Sequence, residues 1–292
     1  MRCWSGTYRL LGVLGQGGSG RVFRARMEGV AHDVALKVLE KNNADYEELL
    51  HLMRNEAFCT RLADHPRIVE VIALEEDEQG ARLVMELMEG GSLHDLIVSG
   101  VPITEEWLLT IGLEIVQPLK AVAGAGMVHR DLKPANILFD LKNGAKLSDF
   151  GLARGTVALP VDQSHLLATP DYVAPEILDG FQGDLRSDLY SLGGCLYHAI
   201  TGTPPYPTEG LAVEELQRIK SNPVTDAEWG KRMNCGVKTE KLISRMMDPD
   251  PVERFQSYDE VESAMQEALL SLKKGSGGFL GLRRIFSKRT SQ

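Results

Sequence analysis

The sequence predicts an α+β fold in which a small strand-rich part precedes a larger helical part. Residues 8–87 contain five short runs of β-branched, aromatic and aliphatic residues, and one segment with helical periodicity, 45–62, interrupts them. From Ser92 onward the apolar residues recur mainly at helical spacing. Strands collected in one part of a chain and helices in the other are typical of α+β proteins.

Composition places the chain among ordinary globular proteins. Hydrophobic residues make up 43% of its 292 residues and charged residues 25%. The net charge of −9 argues against a general affinity for nucleic acid. We therefore expect no nucleic-acid partners. The four cysteines show no C-x-x-C spacing, so neither a zinc site nor a disulfide framework is indicated. Because no apolar run is long enough to span a membrane and residues 1–6 lack a signal-peptide core, we expect a cytoplasmic protein.

Glycines are concentrated between the first two predicted strands. Residues 8–14 lead into Gly15-Gln16-Gly17-Gly18-Ser19-Gly20, and Val22 and Phe23 open the next strand. Glycines let backbone amides approach phosphate oxygens closely. The pattern alone is weak evidence, because dinucleotide-binding folds share it, but there the loop leads into a helix. Strand, glycine loop and strand together favour a different kind of phosphate-binding loop.

A lysine lies inside the apolar strand predicted over 34–39. An unpaired buried ammonium group is costly, so Lys37 needs either an acidic partner or an edge strand from which it can face solvent. The following helix, 45–62, offers Glu47, Glu48 and Glu56 as partners.

The densest group of reactive side chains lies in residues 129–136. Asp131, Lys133 and Asn136 fall within six residues, and Asp149 follows 18 residues after Asp131. Phosphoryl transfer from ATP needs a carboxylate to orient a hydroxyl, a cation near the phosphate and oxygen ligands for Mg²⁺. These residue types at this spacing indicate that chemistry.

With these motifs in this order, the chain resembles the eukaryotic-type (Hanks-type) serine/threonine protein kinases, and its catalytic region is similar to those of bacterial members. The resemblance implies a bilobal fold over residues 8–272. The N-lobe, 8–87, would hold a mostly antiparallel sheet and one key helix, and the C-lobe, 88–272, would be mostly helical. A short leader, 1–7, and a flexible basic tail, 273–292, would flank this domain.

The resemblance also implies which residues act. Asp131, Lys133, Lys37 and Glu56 would be catalytic, with Glu56 chosen because it lies nine residues before His65 in His65-Pro66-Arg67-Ile68-Val69. Asn136 and Asp149 would bind Mg²⁺, with Mn²⁺ as a substitute. ATP would contact Leu14, Gly15, Gln16, Gly17, Gly18, Ser19, Gly20, Val22, Ala35, Lys37, Met85, Glu86, Met88 and Leu138. Among these, the Glu86 carbonyl and the Met88 amide would bond adenine, before a flexible turn at 89–92.

The segment 149–176 is similar to the activation segment of the family. Thr169 is expected to bond Asp131 and Lys133, whereas Thr156 and Ser164 are candidate phosphorylation sites whose phosphate would pair with Arg130. Alternatively, neither is modified. The resemblance further implies that Asp188 bonds the catalytic-loop backbone, that Glu176 and Arg254 form a structural salt bridge, and that residues 168–172 face the protein substrate.

The sequence is compatible with three functions, which it favours unequally. The first is a Mg²⁺-dependent kinase that uses ATP to phosphorylate serine or threonine in proteins, itself included; Lys133, two residues after Asp131, favours these acceptors over tyrosine. The second is a pseudokinase scaffold, which the presence of Lys37, Asp131 and Asp149 disfavours. The third is a small-molecule kinase of the same fold, which Ala174-Pro175-Glu176 disfavours.

The end of the chain is basic although the protein is acidic overall. No acidic residue follows Glu267, and in 279–289 the residues Phe279, Leu282, Ile285 and Phe286 can share one helical face. This pattern suggests a weak contact with a membrane surface or a partner. The alternative is a disordered, solubilising end.

Overall fold

An antiparallel sheet forms the first part of the molecule. The computed structural model describes residues 3–4, 8–17, 20–27, 32–141, 144–155, 170–206, 208, 210–221 and 233–275. The strands are β1 (Cys3–Trp4), β2 (Tyr8–Gly17), β3 (Gly20–Met27), β4 (Asp33–Glu40), β5 (Val71–Asp77) and β6 (Gly80–Glu86), joined in the order β1-β2-β3-β4-β6-β5. Helix α1 (Tyr46–Ala63) connects β4 to β5.

Strand β4 is central, between β3 and β6, and is buried on both faces. Its residues alternate as a strand requires: Val34, Leu36 and Val38 join one apolar cluster, while Ala35 and Leu39 join the cluster that packs on α1. Lys37 lies in register with the second set. The alternative of an edge-strand lysine that faces solvent is therefore wrong.

The second part of the molecule is mainly helical. Its helices are α2 (Leu93–Val98), α3 (Glu105–Gly124), α4 (Pro175–Leu178), α5 (Leu185–Thr201), α6 (Val213–Lys220), α7 (Val237–Met246) and α8 (Tyr258–Gly275). Side-chain caps begin several of them: Ser92 and Asp95 bond reciprocally at α2, and Thr104 accepts from the amide of Trp107 at α3. Helix α3 packs against α5 and α8 around the largest apolar cluster. The predicted α+β class is confirmed.

Four short strands carry the loops that matter for the site. They are β7 (Met127–Val128), β8 (Ile137–Asp140), β9 (Gly144–Leu147) and β10 (Arg154–Gly155). Because β7 pairs with β10 and β8 with β9, the chain from β7 to β8 lies beside the chain from β9 to β10. Asp131 and Asp149 stand on these two adjacent stretches.

The connection between the sheet and the helices differs from the flexible turn expected at 89–92. The amide of Gly90 donates to the carbonyl of Phe139 at 2.9 Å, and the amide of Phe139 donates to the carbonyl of Gly91 at 2.8 Å. A Cβ on Gly90 would lie 2.6 Å from the Phe139 carbonyl oxygen, so only glycine allows this approach. The turn is thereby anchored to β8.

One predicted strand is also displaced. The sequence predicts a strand over 68–74, but β5 begins at Val71, because Ile68 bridges to Leu147 of β9 instead. In the described part of the chain, no helix combines the length and apolarity needed to cross a membrane.

Candidate active site

A buried ion pair joins the sheet to α1. Lys37 Nζ lies 2.8 Å from Glu56 Oε2, and both side chains are almost fully buried. Burial raises the pKa of Glu56 to about 7, with the ammonium group of Lys37 opposing the rise. For Lys37, burial opposes the charged form, but the carboxylates of Asp149 and Glu56 outweigh it and raise the pKa. Glu47 and Glu48, the two other acids considered, are exposed in the first turn of α1.

Three side chains of the loop after β7 interlock. Lys133 Nζ donates to both carboxylate oxygens of Asp131, at 2.7 and 3.0 Å. Asn136 Nδ2 donates to the carbonyl of Asp131 at 2.8 Å and to its carboxylate at 2.9 Å. Burial raises the pKa of Asp131, and Lys133 opposes the rise. The three residues therefore form one preorganised group of a carboxylate, an ammonium and an amide.

The backbone of the same loop is held by a buried carboxylate from α5. Asp188 accepts hydrogen bonds from the amides of His129 and Arg130, each at 2.9 Å. Arg130 has a φ of 70°, a left-handed conformation that is unfavourable for a residue with a side chain. The prediction that Asp188 bonds this backbone is confirmed, and these bonds help to hold the unusual turn.

Asp149 faces the same region from the second loop. Its Oδ1 lies 3.7 Å from Lys37 Nζ, and its φ is 63°. Burial opposes ionisation of Asp149, but Lys37 and Lys133 outweigh it and lower the pKa. The rings of His129 and Phe150 pack edge to face with centroids 4.7 Å apart, which fixes one loop against the other.

The donor set suits a divalent cation. The amide nitrogen of Asn136 is engaged by Asp131, which leaves its oxygen as the end able to coordinate a metal, and Asp149 is ionised. Amide and carboxylate oxygens are the ligands that hard cations prefer. Within the described residues no group of three or more His, Cys, Asp or Glu could hold a metal. Asn136 and Asp149 would thus supply only part of a coordination sphere.

Apolar residues from both parts of the molecule meet above this polar group. Ala35 and Met85 pair across β4 and β6, and Met88 belongs to the same apolar cluster. Half-buried Val22, from β3, and Leu138, from β8, pack against that cluster. Five of the residues predicted to contact ATP are therefore brought together in one partly open, apolar surface.

The glycine-rich turn is an extension of the hairpin formed by β2 and β3. Gly15 pairs with Val22 and Gly17 with Gly20, and half-exposed Leu14 precedes them. A Cβ on Gly15 would have no neighbour within 4 Å, whereas one on Gly20, at φ +123°, would lie 2.8 Å from the carbonyl oxygen of Val38. Gly20 is therefore required by packing. Gly18, Ser19 and the side chain of Gln16 lie outside the described residues.

The side-chain contacts of Glu86 and Asn55 in this region were not found by sequence reasoning. The carboxylate of Glu86 accepts from Lys146 Nζ at 2.6 and 2.8 Å and from the amide of Glu70 at 2.8 Å. Asn55 Nδ2 contacts the carbonyl oxygens of Phe150, Gly151 and Ala153 at 3.2, 2.8 and 2.7 Å. Most of their partners lie 60 or more residues away, so no local pattern indicates them.

Several sequence predictions fall outside the part of the chain that the structure describes. They concern the candidate phosphorylation sites Thr156 and Ser164, the contact of Thr169 with Asp131, and the tail helix at 279–289.

The comparison with protein families decides what this constellation belongs to. A family model described as the protein kinase domain matches residues 8–269. The chain belongs to the protein kinase family. Membership implies the use of ATP and of a divalent metal ion, which the oxygen donors Asn136 and Asp149 suit.

Similar kinases are found in several bacteria. Serine/threonine-protein kinase PrkC of Bacillus subtilis is 29% identical over 265 residues, covering 90% of this chain and 41% of PrkC. Pkn1 of Myxococcus xanthus is 32% identical, covering 92% of this chain and 39% of Pkn1, and PknB of Mycobacterium leprae is 31% identical, covering 89% and 42%. The chain thus spans about two fifths of the length of these relatives.

Proposed function

We propose that this chain is a serine/threonine protein kinase that transfers the γ-phosphoryl group of ATP, with Mg²⁺, to hydroxyl groups of proteins. The observation that carries the proposal is the interlocked group of Asp131, Lys133 and Asn136 beside the Lys37–Asp149 contact. A carboxylate, two cations and metal-binding oxygens in one place are what phosphoryl transfer needs. The relatives named as serine/threonine-protein kinases support the choice of acceptor.

Asp131 has the role of orienting the acceptor hydroxyl and receiving its proton. Lys133, bonded to both oxygens of that carboxylate, stands where it can neutralise charge on the moving phosphoryl group. Lys37 is directed by Glu56 and remains available to nucleotide phosphates. Asn136 and Asp149 would hold Mg²⁺, or Mn²⁺ in its place, and the bound ion supplies neutralisation of phosphate charge.

The adenine ring of ATP fits the apolar surface between Val22, Ala35 and Leu138. Met85 would line its rear, and the Glu86 carbonyl and Met88 amide would bond the ring edge, as would suit a purine. The glycine-rich turn, 14–20, would cover the phosphates. On this proposal the lobes divide near residue 87, into 8–87 and 88–272, flanked by a leader, 1–7, and a tail, 273–292.

Phosphorylation of the activation segment is a further part of the proposal. Arg130 has its Nε and Nη2 atoms buried with no hydrogen-bond partner in the described residues, and Arg154 lies near enough to oppose its charge. Two neighbouring arginines favour an anion. We assign that anion to a phosphate on Thr156 or Ser164, introduced by autophosphorylation. Fully active protein with neither residue phosphorylated, as judged by mass spectrometry, would contradict this assignment.

The surroundings of the kinase are also proposals. Cys59, Cys195 and Cys235 are free thiols, which supports a reducing compartment such as the cytoplasm, where ATP is plentiful. The basic segment 279–289 carries charge suited to an anionic membrane surface or an acidic partner. Equal sedimentation with anionic liposomes of the whole chain and of a chain ending at Lys274 would argue against the membrane contact.

The test of catalysis is transfer of label from [γ-³²P]ATP to a generic protein substrate. We expect the wild type to label serine and threonine, and Asp131→Ala and Lys37→Met each to reduce the rate by at least about 100-fold, because each removes a charged group of the reaction centre. Lys41→Met, at an exposed lysine four residues from Lys37, is the matched control and should retain full activity. Equal labelling by all four proteins would reject the proposal.

A further inference from the structure

A fully buried lysine ends helix α6 in the helical part of the molecule. Lys220 has no exposed surface, and its Nζ donates to the carbonyl oxygens of Pro170, Asp171 and Val173 at 2.6, 3.0 and 2.7 Å. An ammonium group has three N–H donors, so all three are used by one short segment of backbone.

The environment of Lys220 is unusual for a buried cation. No carboxylate of the described residues bonds it; Asp171 and Glu176 act on it only at longer range. The rings of Tyr190 and Tyr206 lie with their centroids 5.6 and 5.3 Å from Nζ, at cation–π distance. Burial of an ammonium group without partners costs free energy, so the three carbonyls and two rings stabilise the charged side chain of Lys220 in the interior.

The segment that Lys220 holds is fixed along its whole length. The remaining carbonyl, that of Tyr172, accepts from the hydroxyl of Ser191 at 2.8 Å, so every carbonyl of 170–173 points inward to a donor. The hydroxyl of Tyr172 also bonds His198 Nδ1 at 2.6 Å. Such complete bonding leaves the segment little freedom to change its backbone conformation.

We infer that Lys220 is a positioning residue for the protein substrate. By holding the backbone of residues 170–173, it fixes the shape of the surface that they form. This inference rests on the proposed kinase function, since it is by resemblance to the family that residues 168–172 face the protein substrate. Residues 170–173 lie within the segment 149–176, one residue before α4. Among the described residues, the contacts of Lys220 do not include those assigned to ATP, so its effect should fall on the protein substrate alone.

The experiment separates use of the protein substrate from use of ATP. Lys220→Met keeps most of the side-chain volume but has no donors. We expect the KM for a protein substrate to rise about tenfold or more, while the KM for ATP and the slow hydrolysis of ATP without protein stay within about twofold of wild type. Arg218→Met, at an exposed position of the same helix, is the matched control and should leave all these quantities unchanged.

A second readout depends on the charge of Lys220. Burial lowers the pKa of Lys220 to about 7, and the carboxylates of Asp171 and Glu176 oppose the fall. The groups that face it are these two acids and the phenols of Tyr190 and Tyr206. A neutral amine has two N–H donors for three carbonyls, so the protein-substrate KM of the wild type should rise between pH 6 and 8. In Lys220→Met this rise should be absent.

The outcomes distinguish the two proposals. A wild type that hydrolyses ATP but labels no protein would reject the kinase function, and the inference with it. An active wild type with unchanged protein-substrate KM in Lys220→Met would overturn the inference alone. Ser191→Ala removes the bond to the Tyr172 carbonyl, together with one to the Ser187 carbonyl within α5, and should change the protein-substrate KM in the same direction by a smaller factor. If both variants lost ATP hydrolysis and protein labelling in parallel, Lys220 would serve folding and the inference would be wrong.

Discussion

The two charges of the Lys37–Glu56 pair are stabilised unequally. Lys37 lies near two carboxylates, those of Glu56 at 2.8 Å and Asp149 at 3.7 Å, whereas Glu56 has one ammonium group to offset its burial. Burial raises the pKa of Glu56 to about 7, while that of Lys37 is also raised, so the lysine stays charged. As the pH falls, Glu56 should therefore be protonated before Asp149, and Lys37 should then pair mainly with Asp149.

This inequality predicts a pH dependence of ATP use. The active, ionised form of Glu56 exists above its raised pKa and is lost as the pH falls, so kcat/KM for ATP should decrease as the pH falls through about 7. Glu56→Gln, which is neutral at every pH, should be about 10- to 100-fold less active at pH 8 and lack this decrease. Initial rates from pH 6 to 8.5 measure both effects.

Glu48→Gln is the control for this experiment. Because Glu48 is exposed on the same helix, this substitution should leave the pH profile the same as that of the wild type. If Glu56→Gln showed the same acid decrease as the wild type, another group would be responsible for it.

Helix α1 is connected to the second loop by more than its ion pair. Asn55, adjacent to Glu56, bonds the carbonyls of Phe150, Gly151 and Ala153, which follow the metal-binding candidate Asp149. One amide therefore ties the position of the helix to the backbone that presents Asp149. A shift of α1 would therefore move Glu56, the partner of Lys37, together with the loop that carries Asp149.

Asn55→Ala should weaken this coupling without removing any group that contacts ATP. We expect the Mg²⁺ concentration for half-maximal activity to rise about tenfold, because Asp149 is less well positioned when the hydrogen bonds from Asn55 to this backbone are lost. Titration of activity with Mg²⁺ measures the change. Arg54→Ala removes an exposed ion pair with Glu76 on the neighbouring residue and should have no such effect; an equal response in both variants would argue against the coupling.

For helices and strands, the sequence predicts the elements themselves more successfully than the contacts between them. Alternation around Lys37 indicates β4 and periodicity indicates α1, because both patterns are local. The roles of Asn55 and Lys220 are not predictable in this way, since their acceptors are backbone carbonyls that any residue supplies. The late start of β5 has the same cause: Ile68 prefers a bridge to Leu147, a contact that depends on the assembled fold.

The helical part is braced by an ion pair between distant segments. Arg254, fully buried, donates to both oxygens of Glu176 at 2.8 Å and also to the carbonyls of Asp248 and Arg186. The two partners are 78 residues apart, so the pair closes a large part of the chain. It was predicted through the family resemblance, and the structure confirms it.

Removal of one partner should destabilise the whole domain. Arg254→Met leaves Glu176 without its cation, and breaking a buried pair in this way costs about 3–5 kcal/mol. For a domain of this size the midpoint of thermal unfolding should fall by on the order of 10 °C. Differential scanning calorimetry measures it. Lys238→Met, which breaks an exposed pair with Glu267, should change the midpoint little, and a similar small change for Arg254→Met would contradict the brace.

For the molecule as a whole, most of the correct predictions come from the order of the motifs along the sequence. The family resemblance anticipated the two-part architecture, Asp188 beneath the catalytic loop and the Glu176–Arg254 pair. It did not indicate that the turn at 89–91 is bonded to β8, or that Glu86 binds Lys146 through its side chain. Both depend on how closely two backbones approach after folding, which spacing along a chain does not encode.

The contact of Asp188 with the loop after β7 also has a consequence for synthesis of the protein. The carboxylate that holds the amide of Arg130 is encoded 58 residues later. At about 5–20 residues per second, the ribosome makes the catalytic loop roughly 3–12 s before the residue that fixes it. By the end of that interval the nascent chain contains Lys37, Asp131 and Asp149 but still lacks the anchor for the left-handed turn at Arg130. If the proposed function is right, we expect no phosphoryl transfer from a chain that ends before α5, because its catalytic loop would lack this anchor.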